Sequence, residues 1–150
     1  RKGFRLKKLN QVISTNILYN SDEYTKSDLF ICCYGASVEK TMEAAKSLIV
    51  KKEITSSIIV PSKICPIDPE TQKIISLYAK KLIIIEEGYS ESGWGSYLLT
   101  QLTKSKNDIN LSNIKILGPK FEPIPANYNK EKKHFVTSEN IIKEAETLYA

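Results

Sequence analysis

Short apolar runs typical of buried β-strands alternate along this chain with segments of helical periodicity. Segments 29–34 and 82–85 are almost continuously apolar, as strands are when helices cover both faces of their sheet. Segments 55–60 and 114–117 are two further predicted strands. Helical patterns separate the strands, which is typical of βαβ units. The sequence therefore predicts an α/β domain with a mainly parallel sheet.

Three helix starts can be predicted from capping residues. Ser37 is expected to cap a helix that runs to about Lys51. Asp68 precedes a proline and a glutamate, a combination that favours the first turn of a helix. Thr137 or Ser138 is expected to cap the last helix. The proline- and lysine-rich segment between residues 121 and 135 is predicted to be a loop.

The distribution of charge distinguishes a basic N-terminal segment from the rest of the chain, which is neutral overall. Five of the 22 basic residues fall within the first eight positions, and the other 17 are matched by 17 acidic residues. We therefore expect a basic linker over 1–8 and one domain over 9–150, without the broad basic face that nucleic-acid binding requires. No apolar run reaches about 18 residues, so no membrane partner is expected. The sequence begins with Arg1, and Met42 is its only methionine, so we expect it to be a piece of a longer protein.

The cysteines and the single histidine do not form a metal-binding pattern. Cys32 and Cys33 are neighbours on a predicted strand, so their side chains point to opposite faces of the sheet. Cys65 stands apart, no C-x-x-C spacing exists, and His134 lies in the predicted lysine-rich loop. We interpret the three thiols as buried small hydrophobes in a reducing, cytoplasmic compartment.

A glycine-rich loop over residues 88–95 joins a predicted strand to a predicted helix. Gly93 and Gly95 could let a phosphate rest on the helix N-terminus, but Leu98 stands where a dinucleotide fingerprint needs a small residue. The glycines more simply permit a tight turn and a close approach of the backbone. Phosphate binding stays open as the alternative.

Glu86 and Glu87 end a strand at the edge of the sheet where ligands of open α/β proteins bind. Consecutive strand residues point in opposite directions, so the two glutamates are not a paired acid/base device. We expect one of them to cap the loop that follows. The sequence offers no catalytic constellation, and we predict no catalytic residue in this chain.

Five groups of residues occur in a specific order along the chain. They are Tyr34-Gly35-Ala36-Ser37-Val38, Ile64-Cys65-Pro66-Ile67-Asp68-Pro69-Glu70, Leu82-Ile83-Ile84-Ile85-Glu86-Glu87-Gly88, Ser92-Gly93-Trp94-Gly95, and Gly118-Pro119 with Pro123-Ile124-Pro125. In this order and spacing they resemble the transketolase C-terminal domain, and most of all that of the β subunit of decarboxylating 2-oxo-acid dehydrogenases. The resemblance covers about Phe4 to Tyr149.

The resemblance implies a three-layer α/β/α fold with a five-stranded, mostly parallel sheet. Its first strand would be antiparallel and would run from Leu9 to Asn16. It also implies that other domains of the parent enzyme hold thiamine diphosphate and magnesium, so this chain would bind no cofactor or metal and would not be catalytic alone. The implied partners are those remaining domains, a homodimer or α/β subunit assembly, and an acyltransferase core.

The glycine-rich loop is the candidate interface of such an assembly. Trp94, the only tryptophan, lies between two glycines and is expected at an exposed loop tip, where interfaces concentrate aromatic side chains. The alternative is that its ring folds back onto the core of the domain. The predicted interface residues are Glu86, Glu87, Gly88, Tyr89, Ser92, Gly93, Trp94 and Gly95.

The sequence leaves two other functions open. The parent enzyme could be a transketolase or a deoxyxylulose-phosphate synthase instead of a 2-oxo-acid dehydrogenase. The chain could also be a free-standing module that binds a small anion through the loop 88–95.

Overall fold

The computed structural model describes residues 3–9, 15–104 and 110–150. The six strands in this part of the chain are β1 Arg5–Lys8, β2 Asn16–Tyr19, β3 Leu29–Cys32, β4 Ser56–Val60, β5 Leu82–Ile85 and β6 Ile114–Leu117. The five α-helices are α1 Ser37–Lys52, α2 Pro69–Tyr78, α3 Trp94–Lys104, α4 Tyr128–His134 and α5 Ser138–Tyr149. Two short 3₁₀ turns, Tyr24–Lys26 and Leu111–Asn113, precede β3 and β6.

The strands form one mixed sheet in the order β1-β2-β4-β3-β5-β6. The β4-β3-β5-β6 part is parallel, whereas β1 and β2 are antiparallel additions at one edge. This arrangement confirms the predicted α/β fold with a mostly parallel sheet. The sheet has six strands where five were expected.

The extra strand comes from the predicted basic linker. β1 lies within residues 1–8 and pairs with β2, and all four of its side chains are exposed. A strand that buries no side chain leaves no apolar pattern in the sequence. The antiparallel strand expected over Leu9 to Asn16 falls largely on residues 10–14, outside the described residues. The strand observed next to β4 begins at Asn16 and runs to Tyr19, with Ile17 buried against the core.

Helices cover both faces of the sheet, as a three-layer domain requires. Ile75 and Leu98 of α2 and α3 belong to the core on one face. Leu48 and Ala145 of α1 and α5 belong to the core on the other face. The adjacent cysteines follow this division, because Cys32 lies in the first core and Cys33 in the second. The prediction that these two thiols point to opposite faces is confirmed.

Two of the three predicted helix caps are confirmed. The Asp68 carboxylate accepts a hydrogen bond of 3.0 Å from the amide of Thr71 at the start of α2. Thr137 forms a capping box with Asn140 at the start of α5. Ser37, however, is the first residue of α1 and not its cap, and the preceding Ala36 has helical backbone angles.

The segment 121–135 is not entirely a loop, because it contains α4. Asn127 caps this helix by accepting from the amides of Asn129 and Lys130, at 3.1 and 3.3 Å. None of the helix residues is buried. Without a buried face the helix has no apolar periodicity, so the lysine-rich composition was misleading.

Candidate functional site

The centre of the sheet contains the position where ligands of open α/β domains bind. From β3 the chain crosses through α1 to β4 on one side, and from β5 it crosses through α3 to β6 on the other. β3 and β5 are neighbours, so their carboxyl ends lie at the point where the strand order reverses. Such a switch point usually opens a crevice for a ligand. The residues that follow β3 and β5 are therefore the candidate site.

Glu86 is a buried carboxylate that closes one side of this crevice. Its side chain accepts hydrogen bonds from the backbone amides of Gly88, at 2.9 Å, and Gly95, at 2.8 Å. The hydroxyl of Tyr34 donates a third, short hydrogen bond to it. Glu86 is 3% exposed, and a buried carboxylate is tolerable only with such partners. The carboxylate caps the first turn of α3, which confirms that one of the two glutamates caps the following loop.

Glu87 performs the same function for the second helix at the crevice. Its carboxylate accepts a hydrogen bond of 3.2 Å from the amide of Ser37, the first residue of α1. Gly35 has a φ of +61°, and a Cβ atom there would lie 2.5 Å from a carboxylate oxygen of Glu87. Glycine is needed at position 35 both for its backbone conformation and for this close approach. The cap predicted from the Ser37 hydroxyl is thus supplied by Glu87, while that hydroxyl donates to the carbonyl of Tyr34.

The glycines of the loop make room for the protein's own carboxylate. A Cβ atom at Gly93 would overlap the carboxylate of Glu86. The tight backbone approach predicted for these glycines is therefore present, and Glu86 is what they accommodate. A phosphate on the N-terminus of α3 would have to displace this carboxylate or lie beside it.

Trp94 is not exposed at the tip of the loop. The side chain is 8% exposed and belongs to the core on the α2–α3 face of the sheet. Its ring nitrogen donates to the carbonyl of Ile64 at 2.7 Å, and its ring meets that of Tyr34 edge-on with 5.1 Å between centroids. The expectation of an exposed Trp94 is wrong because α3 begins at this residue and its first turn faces the sheet.

The phenol of Tyr34 and the two buried thiols near the site are held in their neutral forms. Burial, together with the hydrogen bond to Glu86, raises the pKa of Tyr34 to about 12. Burial also raises the pKa of the Cys33 thiol to about 12 and that of the Cys32 thiol well above its ordinary value. Neither thiol is ionised at neutral pH, so neither is a nucleophile. Cys65, in contrast, is exposed, so the interpretation of all three thiols as buried is wrong for this one.

A small cavity remains above the crevice. Its volume is about 300 Å³, and it lies between the start of α1, the end of β5 and the connection from α4 to α5. Ala36, Ile85, Phe135 and Val136 give it apolar walls, while Glu86 and Glu87 also line it. An anion entering here would face two carboxylates, which disfavours anion binding at the switch point.

Three large apolar side chains are exposed in the segment that follows β6, and the half-buried Tyr89 contacts one of them. The ring of Tyr89 packs against that of Phe121 with 4.6 Å between centroids. Phe121 is 77% exposed, Tyr128 65% and Ile124 58%. We call Tyr89, Phe121, Ile124 and Tyr128 the edge patch. Several large apolar side chains exposed within one short segment, as at 121–128, are typical of interaction surfaces.

The predicted interface residues divide into buried and exposed ones. Glu86, Trp94 and Gly95 are buried, whereas Gly88 and Ser92 are exposed, and Glu87, Tyr89 and Gly93 are intermediate. Sequence reasoning missed the other three members of the edge patch. The signal was available, because Phe121, Ile124 and Tyr128 are large apolar residues in a polar segment without strand or helix periodicity.

No other chemistry is apparent in the part of the chain that the structure describes. Residues 3–9, 15–104 and 110–150 contain no group of three His, Cys, Asp or Glu side chains that could hold a metal ion. His134 is the last residue of α4, and its ring lies edge-on to that of Phe135. None of the described helices is long and apolar enough to cross a membrane.

Comparison with known proteins identifies relatives of this fold. The chain is 29% identical over 118 residues to the pyruvate dehydrogenase E1 component subunit beta, mitochondrial, of Dictyostelium discoideum, covering 79% of this chain and 33% of that protein. The chain therefore spans about a third of the length of that relative.

Two solved structures share the fold at low sequence identity. One is a split gene transketolase, described as an inactive beta4 tetramer, with a TM-score of 0.68 and 18% identity over 84% of this chain and 43% of the other. The second is the 2-oxoglutarate:ferredoxin oxidoreductase from Magnetococcus marinus, with a TM-score of 0.57 and 16% identity over 90% of this chain and 20% of the other.

The family described as "Transketolase, C-terminal domain" matches residues 22–141, which include the crevice with both glutamates, the glycine-rich loop and the edge patch. This span covers most of the chain, and the sequence resemblance, the sheet topology and the solved structures agree with it. The chain belongs to the transketolase C-terminal domain family.

Proposed function

We propose that this chain is the C-terminal assembly domain of a thiamine-diphosphate-dependent enzyme, the β subunit of a 2-oxo-acid dehydrogenase. The curated relative at 29% identity is a β subunit of pyruvate dehydrogenase, which favours this choice over a transketolase or a deoxyxylulose-phosphate synthase. The domain contributes contacts with the other domains and with a second subunit. Thiamine diphosphate and magnesium bind to those other domains in this proposal.

The observation that carries the proposal is the contrast at the carboxyl edge of the sheet. The two helix N-termini that could hold a ligand are capped by Glu86 and Glu87. Beside them the edge patch leaves Phe121 and Tyr128 more than half exposed. An edge whose helix N-termini are occupied by the chain's own carboxylates, and that exposes aromatic side chains, is suited to protein contacts.

The alternative of a small-anion-binding module is disfavoured by the same contacts. An anion at the N-terminus of α3 would be close to the buried Glu86 carboxylate, and the like charges would repel. The loop 88–95 is thus expected to support the interface and not to bind a ligand.

The proposal can be tested in the full-length protein that contains this domain, produced with its partner subunit. Phe121→Ser and Tyr128→Ser remove apolar area from the edge patch. The matched control is Leu111→Ser, which alters a 56% exposed apolar residue before β6, at the opposite edge of the sheet. We expect the first two variants to weaken subunit association by about tenfold or more, as loss of an interface aromatic side chain does.

Association is measured by sedimentation velocity over a range of protein concentrations. The rate of 2-oxo-acid decarboxylation should fall with dissociation and recover at high protein concentration. Pyruvate, branched-chain 2-oxo acids and a ketose phosphate, assayed side by side, distinguish a dehydrogenase from a transketolase. The same oligomer and the same rate for all variants would contradict the assembly function.

A second test uses the 150-residue chain alone. Calorimetry with thiamine diphosphate and Mg²⁺ should show no binding, because the described residues provide no metal-ligand group. Micromolar affinity of this chain for the cofactor would refute the assignment of cofactor binding to other domains.

A further inference from the structure

A second cleft, which shares Phe135 and Val136 with the switch-point cavity, opens on the side of α4 and α5. Its volume is about 540 Å³, within the range of pockets for small organic ligands. It lies between the end of β6, the segment that follows β6, and the two C-terminal helices. We call it the lysine cleft and define it by Lys120, Lys130, Lys133, His134, Asn140 and Lys143.

The lysine cleft carries an excess of positive charge. Its four lysines come from three segments of the chain, namely the loop after β6, α4 and α5. Two carboxylates also line it, but Glu144 forms an ion pair with Lys115 at 3.7 Å. Glu122 is the other carboxylate. None of the four lysines has an ion-pair partner among the described residues. Since the described sequence outside the first eight residues is near neutral overall, this is a local concentration of charge.

Two polar side chains add hydrogen-bonding capacity to the lysine cleft. The side-chain oxygen of Asn140 accepts from the amide of Thr137 at 3.0 Å, so the amide nitrogen of Asn140 remains as a donor. The Nε2 atom of His134 is buried and has no hydrogen-bond partner among the described residues. Buried polar atoms without partners are rare, and they often mark the position of a water molecule or a ligand. The ring of His134 is held edge-on to Phe135.

The remaining wall of the lysine cleft is apolar. Leu117, Pro125, Phe135 and Val136 line it beside the lysines. A bare inorganic anion would leave this surface without a contact. The cleft is better matched by a molecule that has both a charged end and an organic end.

We propose that the lysine cleft binds a phosphorylated organic molecule of about the size of a nucleotide. A phosphate group carries a charge of about −1.5 to −2 at neutral pH and has three strong acceptor oxygens, which several lysines can share. The apolar wall takes the organic portion. The lysine cleft shares no residue with the edge patch, although both draw on the segment 120–130, and it does not involve the helix N-termini at the switch point. The proposal does not rest on the proposed assembly function.

The probe is a fluorescent N-methylanthraniloyl ester of ADP, titrated with the 150-residue chain while fluorescence anisotropy is measured. We expect saturable binding at about 0.05 M salt that weakens as salt increases, because screening reduces contacts between exposed charges. Inorganic pyrophosphate should displace the probe, whereas adenosine should not. Heteronuclear NMR of the same titration should show shifts confined to residues 117–144.

Two double variants, each of which removes two positive charges, distinguish binding in the lysine cleft from a general effect of net charge. Lys133→Ala with Lys143→Ala should lower the affinity by about tenfold, as expected for the loss of two exposed charge contacts. The control, Lys51→Ala with Lys73→Ala, removes the same charge from exposed positions of α1 and α2 and should leave the affinity unchanged. Lys120→Ala with Lys130→Ala tests the cleft a second time if the first pair lowers the thermal stability.

Three outcomes would overturn the proposal. The first is no saturable binding of the probe up to about 1 mM, the weak limit of a useful site. The second is an equal loss of affinity in the control variant, which would indicate nonspecific attraction. The third is displacement of the probe by a glutamate-rich peptide in preference to pyrophosphate, which would assign the lysine cleft to an acidic protein partner.

Discussion

Among the charged side chains of the described residues, Glu86 is the one whose replacement should destabilise the domain most. The carboxylate accepts three hydrogen bonds, from the amides of Gly88 and Gly95 and from the hydroxyl of Tyr34. In Glu86→Gln one acceptor oxygen becomes an NH₂ group, which faces a donor and cannot accept from it. A hydrogen bond to a charged group contributes about 1.5–3 kcal/mol. We expect a loss of about 2 kcal/mol for this variant, after the lower desolvation cost of the neutral amide offsets part of the effect.

Glu86→Ala should cost more, because it leaves all three donors without the acceptor. At about 1–3 kcal/mol for each unsatisfied buried group, with partial relief from water, the expected loss is about 3–5 kcal/mol. The assay is chemical denaturation of the 150-residue chain at neutral pH, supported by the thermal midpoint. For a domain of this size a loss of about 2 kcal/mol lowers that midpoint by about 4–8 °C.

The control is Glu91→Gln, which removes the same charge from an exposed side chain in the same loop. Its effect should stay within about 0.5 kcal/mol, as is usual for surface substitutions. If Glu86→Gln unfolds at the same denaturant concentration as the original protein, the carboxylate is not the cap that holds α3 against β5. A smaller loss in Glu86→Ala than in Glu86→Gln would also refute the reasoning, since it would mean that three donors without an acceptor cost less than one mispaired amide.

Three further changes test other contacts. Asp68→Ala should destabilise the chain by about 1 kcal/mol in chemical denaturation, because α2 loses its cap. The raised pKa of Tyr34 stabilises the fold below pH 10, and this contribution is lost as the pH rises toward 12. Tyr34→Phe should therefore make the free energy of unfolding fall less steeply with pH in this range. In the absorbance titration, the variant should lack one phenol that ionises near pH 12. Trp94→Ala should cost about 3–5 kcal/mol by leaving a cavity, and an unchanged denaturation midpoint would mean that the ring is not core.

The parallel core of the fold could be predicted from the sequence because its signals are local and redundant. Residues 29–32 and 82–85 are apolar without interruption since both faces of β3 and β5 are covered. Asp68 and Thr137 mark their helices by cap chemistry that needs no knowledge of the tertiary structure. β1 and α4 left no such signal, because neither buries a side chain. Their positions depend on pairing with β2 and on capping by Asn127, respectively.

The candidate site could be predicted only in part, because it depends on contacts between distant segments. The sequence indicates that Glu86 and Glu87 lie at the edge where ligands bind, and that their side chains diverge. It does not indicate that Glu87 reaches α1, fifty residues earlier in the chain, to cap Ser37. Trp94 was misplaced for the same reason, since its partners Ile64 and Tyr34 come from two other connections.

The divergence of the two glutamates explains how the usual ligand positions of an open α/β scaffold can be filled by the chain's own carboxylates. Each helix N-terminus carries about half a positive charge and a set of unpaired amides, which is why phosphates bind there in related architectures. Here Glu86 occupies one such terminus and Glu87 the other, so the positive ends of α3 and α1 are satisfied within the chain. The glycines that would admit a phosphate admit these carboxylates instead. Phe121, Ile124 and Tyr128 remain exposed in the segment after β6, and four lysines line the cleft beside α4 and α5.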